Sequence, residues 1–269
     1  MLASAWAFLR RSAGQVGSLL GVRRKGTLSM SLSYYDLLEA FANPGCAVCN
    51  LLLRNADRFL DGFLYERALD PGAHRAFRAR RGLCNEHGWQ ATRYMGSSLS
   101  LATLYSTALD EVLKILEEAP LEEAPRLGPL HLRNDRSQSS SLADRLEPVG
   151  GCLVCELLAG AEQRYLHTLG HHIADARLRE AYQNSDGLCL PHFRQVLRQA
   201  PRPSDRELLI AIQKGIWKRL KADLEEFILK NDYRRRGERM GPEGDSWRRV
   251  AFRMAGERGV FGPDPRGGS

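Results

Sequence analysis

The sequence lacks the features of several large protein classes. No run of about 18 apolar residues is present, so a membrane-spanning helix is not expected. No alternating apolar and polar stretch of useful length predicts a β-strand, and no phosphate-binding loop, dinucleotide fingerprint or Ser-His-Asp arrangement is found. The 269 residues, 43% hydrophobic and 26% charged, are enough to bury a core without cross-links.

Cysteine is also scarce. Six cysteines in 269 residues are far below the density of a disulfide-stapled domain, and Cys-x-x-Cys pairs in such a chain indicate metal binding or redox chemistry. All six lie in four short stretches: GCAVCNLL (45–52), RGLCNEHGW (81–89), GCLVCELL (151–158) and DGLCLPHFR (186–194).

The body of the chain has little net charge. The formal charge of +7 comes from the ends, since residues 1–29 carry five basic and no acidic side chains and residues 231–269 carry nine arginines and six acids. Residues 30–230 therefore have a net charge of −1. Basic ends are typical of solvated tails, and nucleic-acid binding through the arginine-rich ends is the alternative.

The N-terminal segment 1–29 is basic, contains serine and has no acids, which is similar to the composition of a transit peptide. We interpret it as a basic N-terminal extension that is either disordered or non-native, the second if translation begins at Met30. The C-terminal segment 231–269 is an arginine-rich tail with a short amphipathic helix predicted at 246–255.

One face of that predicted helix is apolar, through Trp247, Val250, Ala251 and Met254 at i, i+3, i+4 and i+7. We expect this face to pack on the protein's own core. Binding a partner or an anionic membrane is the alternative.

The cysteine stretches belong to a longer internal repeat. At an offset of 106 residues, Cys46/Cys49 match Cys152/Cys155, with two leucines after each pair and an Arg-aromatic-Leu segment further on. At an offset of 105, the Gly-Leu-Cys-x-x-His segment at 82–87 matches the one at 187–192. The sequence therefore predicts a duplicated unit.

Both copies show the apolar periodicity of helices and none of the periodicity of strands. We predict an all-α fold with a first helical zinc-binding repeat at 30–118 and a second at 152–230. Residues 119–151 are rich in proline, serine and charge, so they are predicted to be a linker.

Each repeat offers three cysteines and one histidine, because Cys-x-x-Cys is followed after 34 or 33 residues by Cys-x-x-His. Three thiolates and an imidazole suit tetrahedral zinc, and residues i and i+3 at a helix start lie on one face. We predict two zinc ions per chain; an iron–sulfur cluster, a thioredoxin-like redox pair and simple buried cysteines are the alternatives. The predicted ligands are Cys46, Cys49, Cys84, His87, Cys152, Cys155, Cys189 and His192.

Two pairings of these ligands fit the spacing. Each unit can close its own site, or each Cys-x-x-Cys can meet the Cys-x-x-His of the other unit. One helix, a turn and a short helix separate the two pairs of a unit, and these can fold back as a hairpin. We therefore predict closure within each unit, which costs less chain-closure entropy.

The remaining histidine cluster has no counterpart in the first repeat. His167 and His171 are four residues apart on one helix, with His172 beside them, and we interpret them as exposed polar residues rather than a third metal site. Glu86, next to His87, is a candidate to contact the metal ligands from outside.

The chain resembles a family of uncharacterised bacterial proteins, which is classified as a domain of unknown function. The similar segments, besides the tandem cysteine motifs, are YYDLLEA (34–40), KNDYR (230–234) and DSWRR (245–249), and the resemblance spans roughly 30–256. It implies a bacterial, cytoplasmic, helical protein with metal ligands at the eight residues given above. It implies no activity.

Three functions are compatible with these patterns. The leading hypothesis is a non-enzymatic, zinc-stabilised helical protein that acts as a binding or adaptor module for a protein partner, since a four-ligand zinc site has no open position for a reacting water. The second is a thiol-based redox or metal-responsive switch, because cysteine pairs at helix starts are poised to be thiolates. The third is nucleic-acid binding.

Overall fold

The computed structural model describes residues 30–67, 69–94, 96–119, 142–235 and 237–261. The predictions for 1–29 and for most of the linker lie outside the described residues. Every regular element in the described ranges is helical, so the all-α prediction is confirmed there. None of these helices is long and apolar enough to cross a membrane.

Eleven α-helices occur in the described ranges. They are α1 (Leu32–Phe41), α2 (Ala47–Glu66), α3 (Pro71–Ala79), α4 (Asn85–Ala91), α5 (Ser98–Glu117), α6 (Leu142–Leu146), α7 (Leu153–His172), α8 (Ala176–Asn184), α9 (Leu190–Gln199), α10 (Pro203–Lys230) and α11 (Ser246–Ala255). Short 3-10 turns lie at Tyr233–Arg235 and Pro242–Asp245.

The helix order of the first half recurs in the second. Helices α2 and α7 have 20 residues each, and α3 and α8 have nine each. The caps recur too: Asp70 accepts from the Gly72 N–H at the start of α3, and Asp175 accepts from the Arg177 and Leu178 N–H groups at the start of α8. These carboxylates satisfy donors that a helix start leaves unpaired.

Helices α2 and α7 pack against each other, and α1 packs on α2, α7 and α8. The Tyr34 hydroxyl of α1 donates to the Asp175 carboxylate at 2.6 Å, and the Phe41 ring lies 5.1 Å from that of Tyr182. All the described residues from Ser31 onward belong to one compact unit. The first half of this unit, up to α5, and the second half, from α6, therefore share one core.

The last ten residues of the segment predicted as a linker are structured. Helix α6 lies there and packs against α5. The Val149 N–H donates to the Ala79 carbonyl at 2.8 Å, and Arg81 donates to the Arg145 carbonyl at 3.0 Å. The chain is thus tied to the end of α3 before the second Cys-x-x-Cys begins.

The prediction that the apolar face of α11 packs on the core is wrong. Trp247 is 49% exposed and Met254 is 47% exposed, whereas Arg253 is 4% exposed. Arg253 turns inward because it pairs with the Asp186 carboxylate at 2.9 Å. This ion pair and the Arg249–Asp223 contact at 3.0 Å fix the polar side of the helix against the protein.

Candidate metal centres

Four of the predicted ligands meet in a buried group that we call centre one: Cys46, Cys49, Cys189 and His192. The Nδ1 atom of His192 lies 3.4 Å from the sulfurs of Cys46 and Cys49 and 3.2 Å from that of Cys189. The Cys49 and Cys189 sulfurs are 3.8 Å apart. None of the four residues is more than 1% exposed.

The other four meet in a second group, centre two: Cys84, His87, Cys152 and Cys155. The Nδ1 atom of His87 lies 3.2, 3.7 and 3.4 Å from the sulfurs of Cys84, Cys152 and Cys155. The Cys84 and Cys155 sulfurs are 3.7 Å apart. His87 is buried, but all three cysteines are partly exposed.

All eight side chains come from the first turns of four helices. Cys46, Cys84, Cys152 and Cys189 are the N-caps of α2, α4, α7 and α9. The partner in each pair lies three residues later, so both side chains project from the same end of the helix. Each centre therefore sits between two helix N-termini, whose positive dipole ends favour thiolate.

The prediction that each unit closes its own site is wrong. Centre one combines the first Cys-x-x-Cys with the second Cys-x-x-His, and centre two does the reverse. Helix α3 has nine residues, so it is about 14 Å long, which is only half of the roughly 30 Å of α2. Beyond it the chain is bound to the other half: the Arg80 guanidinium donates to the Gly151 carbonyl at 2.9 Å and pairs with Glu156 at 3.1 Å. Cys84 therefore emerges beside Cys152 rather than beside Cys49.

A matching contact in the second half builds centre one. The Asp186 carboxylate, just before the second Cys-x-x-His, accepts the Gly45 N–H at 2.9 Å. Gly45 and Gly150 both have left-handed backbone, with φ of 103° and 98°, a conformation that glycine adopts without strain. In each half, the loop before Cys-x-x-His thus holds the turn before the other half's Cys-x-x-Cys.

Crowding perturbs the pKa values in centre one. Burial raises the pKa of the Cys46 thiol, but hydrogen bonds from Cys189, Cys49 and His192 outweigh it and hold this pKa well below its usual range. The pKa of the Cys49 thiol moves in the opposite direction. Its hydrogen bonds with Cys189 and Cys46 raise this pKa, and its burial raises it further. A divalent cation at the middle of the group would offset the repulsion among the sulfurs and favour the thiolate forms.

Centre two shows the same pattern. Hydrogen bonds with Cys155 and Cys84 lower the pKa of the Cys152 thiol, while those with Cys152 and Cys84 raise the pKa of the Cys155 thiol. Burial disfavours the charged His87 imidazole, but Cys152 and Cys84 outweigh burial and raise its pKa to about 9.

The two centres differ in what lies behind the histidine. The Nε2 atom of His192 lies 3.0 Å from Glu162 Oε1, and the Phe261 ring lies 4.9 Å from the His192 ring. The Nε2 atoms of both histidines are buried without a hydrogen bond of good geometry in the described part of the chain, so the difference is the carboxylate that lies beside His192. The repeat offset places Ala56 where the second half has Glu162.

Sequence reasoning missed Glu162, which lies on α7 seven residues beyond Cys155 and belongs to neither motif. The only sign of Glu162 in the sequence was that the two copies differ at this position, with Ala56 in the first and Glu162 in the second. Glu86, the candidate contact, instead pairs with Arg258 at 3.5 Å. His167 and His171 stack with ring centres 3.8 Å apart, and they join no cluster of three or more metal-ligating groups in the described part of the chain.

Comparison with known proteins assigns the chain to a family. Residues 30–259 match the family described as "Family of unknown function (DUF6062)", and the chain belongs to it. The chain is also 28% identical over 200 residues to an uncharacterized 23.9 kDa protein in the xynA 3' region of Caldicellulosiruptor sp. (strain Rt8B.4), covering 74% of this chain and 88% of that protein. No solved structure matches.

Proposed function

We propose that this family member is a non-enzymatic, duplicated helical protein in which two zinc ions clamp the two halves of the chain together, and that the clamped protein acts as a binding or adaptor module. The main support for this clamp is the composition of the two centres, because each centre takes two ligand side chains from each half of the chain.

The spacing of the ligand atoms supports zinc. Bonds of about 2.3 Å to sulfur and 2.0–2.1 Å to nitrogen place the corners of a tetrahedron about 3.8 Å apart for two sulfurs and about 3.5 Å apart for sulfur and nitrogen. The sulfur–sulfur distances are 3.8 and 3.7 Å. The sulfur–nitrogen distances run from 3.2 to 3.7 Å. Thiolates also favour zinc over the oxygen-seeking cations calcium and magnesium.

The expected energetic effect is large. Structural zinc contributes roughly 10–16 kcal/mol in small zinc-finger peptides, which is comparable with the net stability of a whole domain. Because three thiolates and an imidazole fill a tetrahedral shell, no position is left for a reacting water. The ions would therefore stabilise the protein rather than catalyse a reaction.

The binding role is supported by the surface of α11. Its outer face exposes Trp247, Phe252 and Met254 at 42–49%, and the Arg248 guanidinium lies 5.0 Å from the Trp247 ring centre. Aromatic, methionine and arginine side chains are the residues enriched in protein interfaces. The nucleic-acid alternative is weakened because Arg235, Arg249, Arg253 and Arg258 already pair with carboxylates.

One observation favours the redox alternative. The three cysteine residues of centre two are partly exposed, as oxidant-sensitive cysteines are.

Elemental analysis of the purified protein tests the clamp. Two zinc ions per chain and no iron are expected, with loss of helical structure when a chelator removes them. One ion or none, in the absence of iron, would overturn the assignment.

A surface variant tests the binding role. Trp247→Glu is expected to leave the zinc content and thermal stability unchanged while weakening association with a protein that co-purifies with the wild-type chain. Equal recovery of that protein with both chains would contradict a role for α11.

A further inference from the structure

We propose that centre two is the site at which hydrogen peroxide modifies this protein: Cys84 and Cys155 form a disulfide and the centre releases its ion, while centre one keeps its own. This inference rests on the proposed zinc binding. It adds which centre reacts, which two sulfurs join and which class of oxidant acts.

The two centres differ in how easily peroxide can reach their cysteines. A peroxide molecule must touch a sulfur to oxidise it, and the sulfurs of centre two belong to partly exposed residues, Cys84, Cys152 and Cys155. In centre one, Cys46 is 1% exposed and Cys49 and Cys189 are completely buried.

An expected difference in metal affinity also favours reaction at centre two. A carboxylate behind a ligating histidine typically strengthens metal binding 10- to 100-fold, because it fixes the ring and raises its basicity. Glu162 lies in this position behind His192 at 3.0 Å, whereas no carboxylate pairs with His87 among the described residues and Ala56 stands at the position that matches Glu162. Centre two is therefore expected to hold its ion more weakly, and its thiolates spend more time free to react.

The two sulfurs that join are already close. The Sγ atoms of Cys84 and Cys155 are 3.7 Å apart, and a disulfide bond of about 2.05 Å requires them to approach by roughly 1.7 Å. They lie on the first turns of two different helices, α4 and α7.

The reaction balances with peroxide alone. One cysteine thiolate attacks a peroxide oxygen, the O–O bond breaks, and a sulfenic acid and hydroxide form. The second thiolate attacks the sulfenic sulfur, the S–S bond forms, and a second hydroxide leaves. Two thiolates, one hydrogen peroxide and two protons thus give one disulfide and two waters. With two anionic ligands lost, the centre releases its divalent cation.

The product keeps the halves joined at the same place. Cys84 belongs to the first half and Cys155 to the second, so the disulfide replaces a metal link by a covalent one. Oxidation would therefore lock centre two rather than open it.

The test treats the full-length, zinc-loaded protein with a small excess of hydrogen peroxide. Zinc release is followed with a chromogenic chelator, and the unreduced protein is digested with trypsin for mass spectrometry. Cleavage after arginine gives peptide 82–93, with Cys84, and peptide 146–164, with Cys152 and Cys155. Peptides 26–54 and 180–194 carry the cysteines of centre one.

The expected result is release of one of two zinc ions, with peptides 82–93 and 146–164 linked through Cys84 and Cys155 and the other two peptides unmodified. Release of both ions at the same rate, release of none, or a link between Cys152 and Cys155 would overturn the proposal. A starting protein with no zinc would instead overturn the proposed function, so the two failures are distinguishable.

Discussion

Glu162 offers a test that separates the two centres within one molecule. Its Oε1 atom lies 3.0 Å from the Nε2 atom of His192 and also accepts a hydrogen bond from the Gln195 side chain at 2.7 Å. The substitution Glu162→Gln keeps the size of the side chain and an oxygen that can accept from Gln195. It removes the negative charge that lies beside the Nε2 atom of His192.

Loss of such a carboxylate typically weakens metal binding 10- to 100-fold. At about 1.4 kcal/mol per factor of ten, this corresponds to about 1.4–2.8 kcal/mol in centre one alone. Centre two is expected to be unchanged, because its histidine has no carboxylate partner to lose. The weakened centre one should then approach centre two in affinity.

The assay is zinc competition with a chelator of known affinity, fitted with two dissociation constants. Glu180→Gln, a change of the same chemistry at an exposed position on α8, is the matched control and should leave both constants unchanged. Two unchanged constants in Glu162→Gln would refute the role of Glu162, and equal weakening of both centres would refute their independence.

Three further outcomes are expected. Cys84→Ser removes a thiolate ligand and should lower the thermal midpoint by many degrees, whereas His171→Ala, outside both centres, should shift it by little; comparable shifts would contradict the ligand assignment. Because the pKa of His87 is raised to about 9 and the pKa of the Cys155 thiol is raised as well, zinc, which needs the neutral imidazole and the thiolate, should displace both protons when it binds centre two near pH 7. Its affinity should therefore rise with pH through 9, and calorimetry in buffers of different ionisation enthalpy can count the protons; binding without proton release would contradict this. Tyr34→Phe loses the 2.6 Å bond to Asp175 and should cost about 1 kcal/mol in denaturant unfolding, without changing zinc content; an unchanged midpoint would show that this bond between the halves does not contribute.

The helical class could be predicted from the sequence because helix signals are local. Apolar spacing and caps such as Asp70 and Asp175 act within a few residues. The short helix predicted at 246–255 lies at Ser246–Ala255. The spacing within each ligand pair is local too, which is why eight residues could be proposed as ligands before the structure placed them in two groups.

The pairing of those groups could not be predicted in the same way, because it depends on contacts between distant parts of the chain. Arg80 with Gly151 and Asp186 with Gly45 decide which pairs meet, and neither contact has a sequence signature. The chain-closure entropy that favoured closure within a unit grows only slowly with loop length, so a few specific hydrogen bonds and a shared core outweigh it.

The prediction that the apolar face of α11 packs on the core was wrong for another reason. Helical periodicity shows that a helix has an apolar face but not which face meets the protein. Here the Arg253–Asp186 pair, 2.9 Å apart, and the Arg249–Asp223 pair favour the polar side. Only the tertiary position of Asp186 and Asp223 reveals this.

The central claim, that each ion joins the two halves, is tested most directly by the zinc content of two double variants of the full chain. Cys46→Ser with Cys189→Ser damages centre one only, so one zinc ion per chain should remain. Cys46→Ser with Cys84→Ser damages both centres, so none should remain tightly bound. The opposite result, none in the first variant and one in the second, would show that each half closes its own site and would contradict the account.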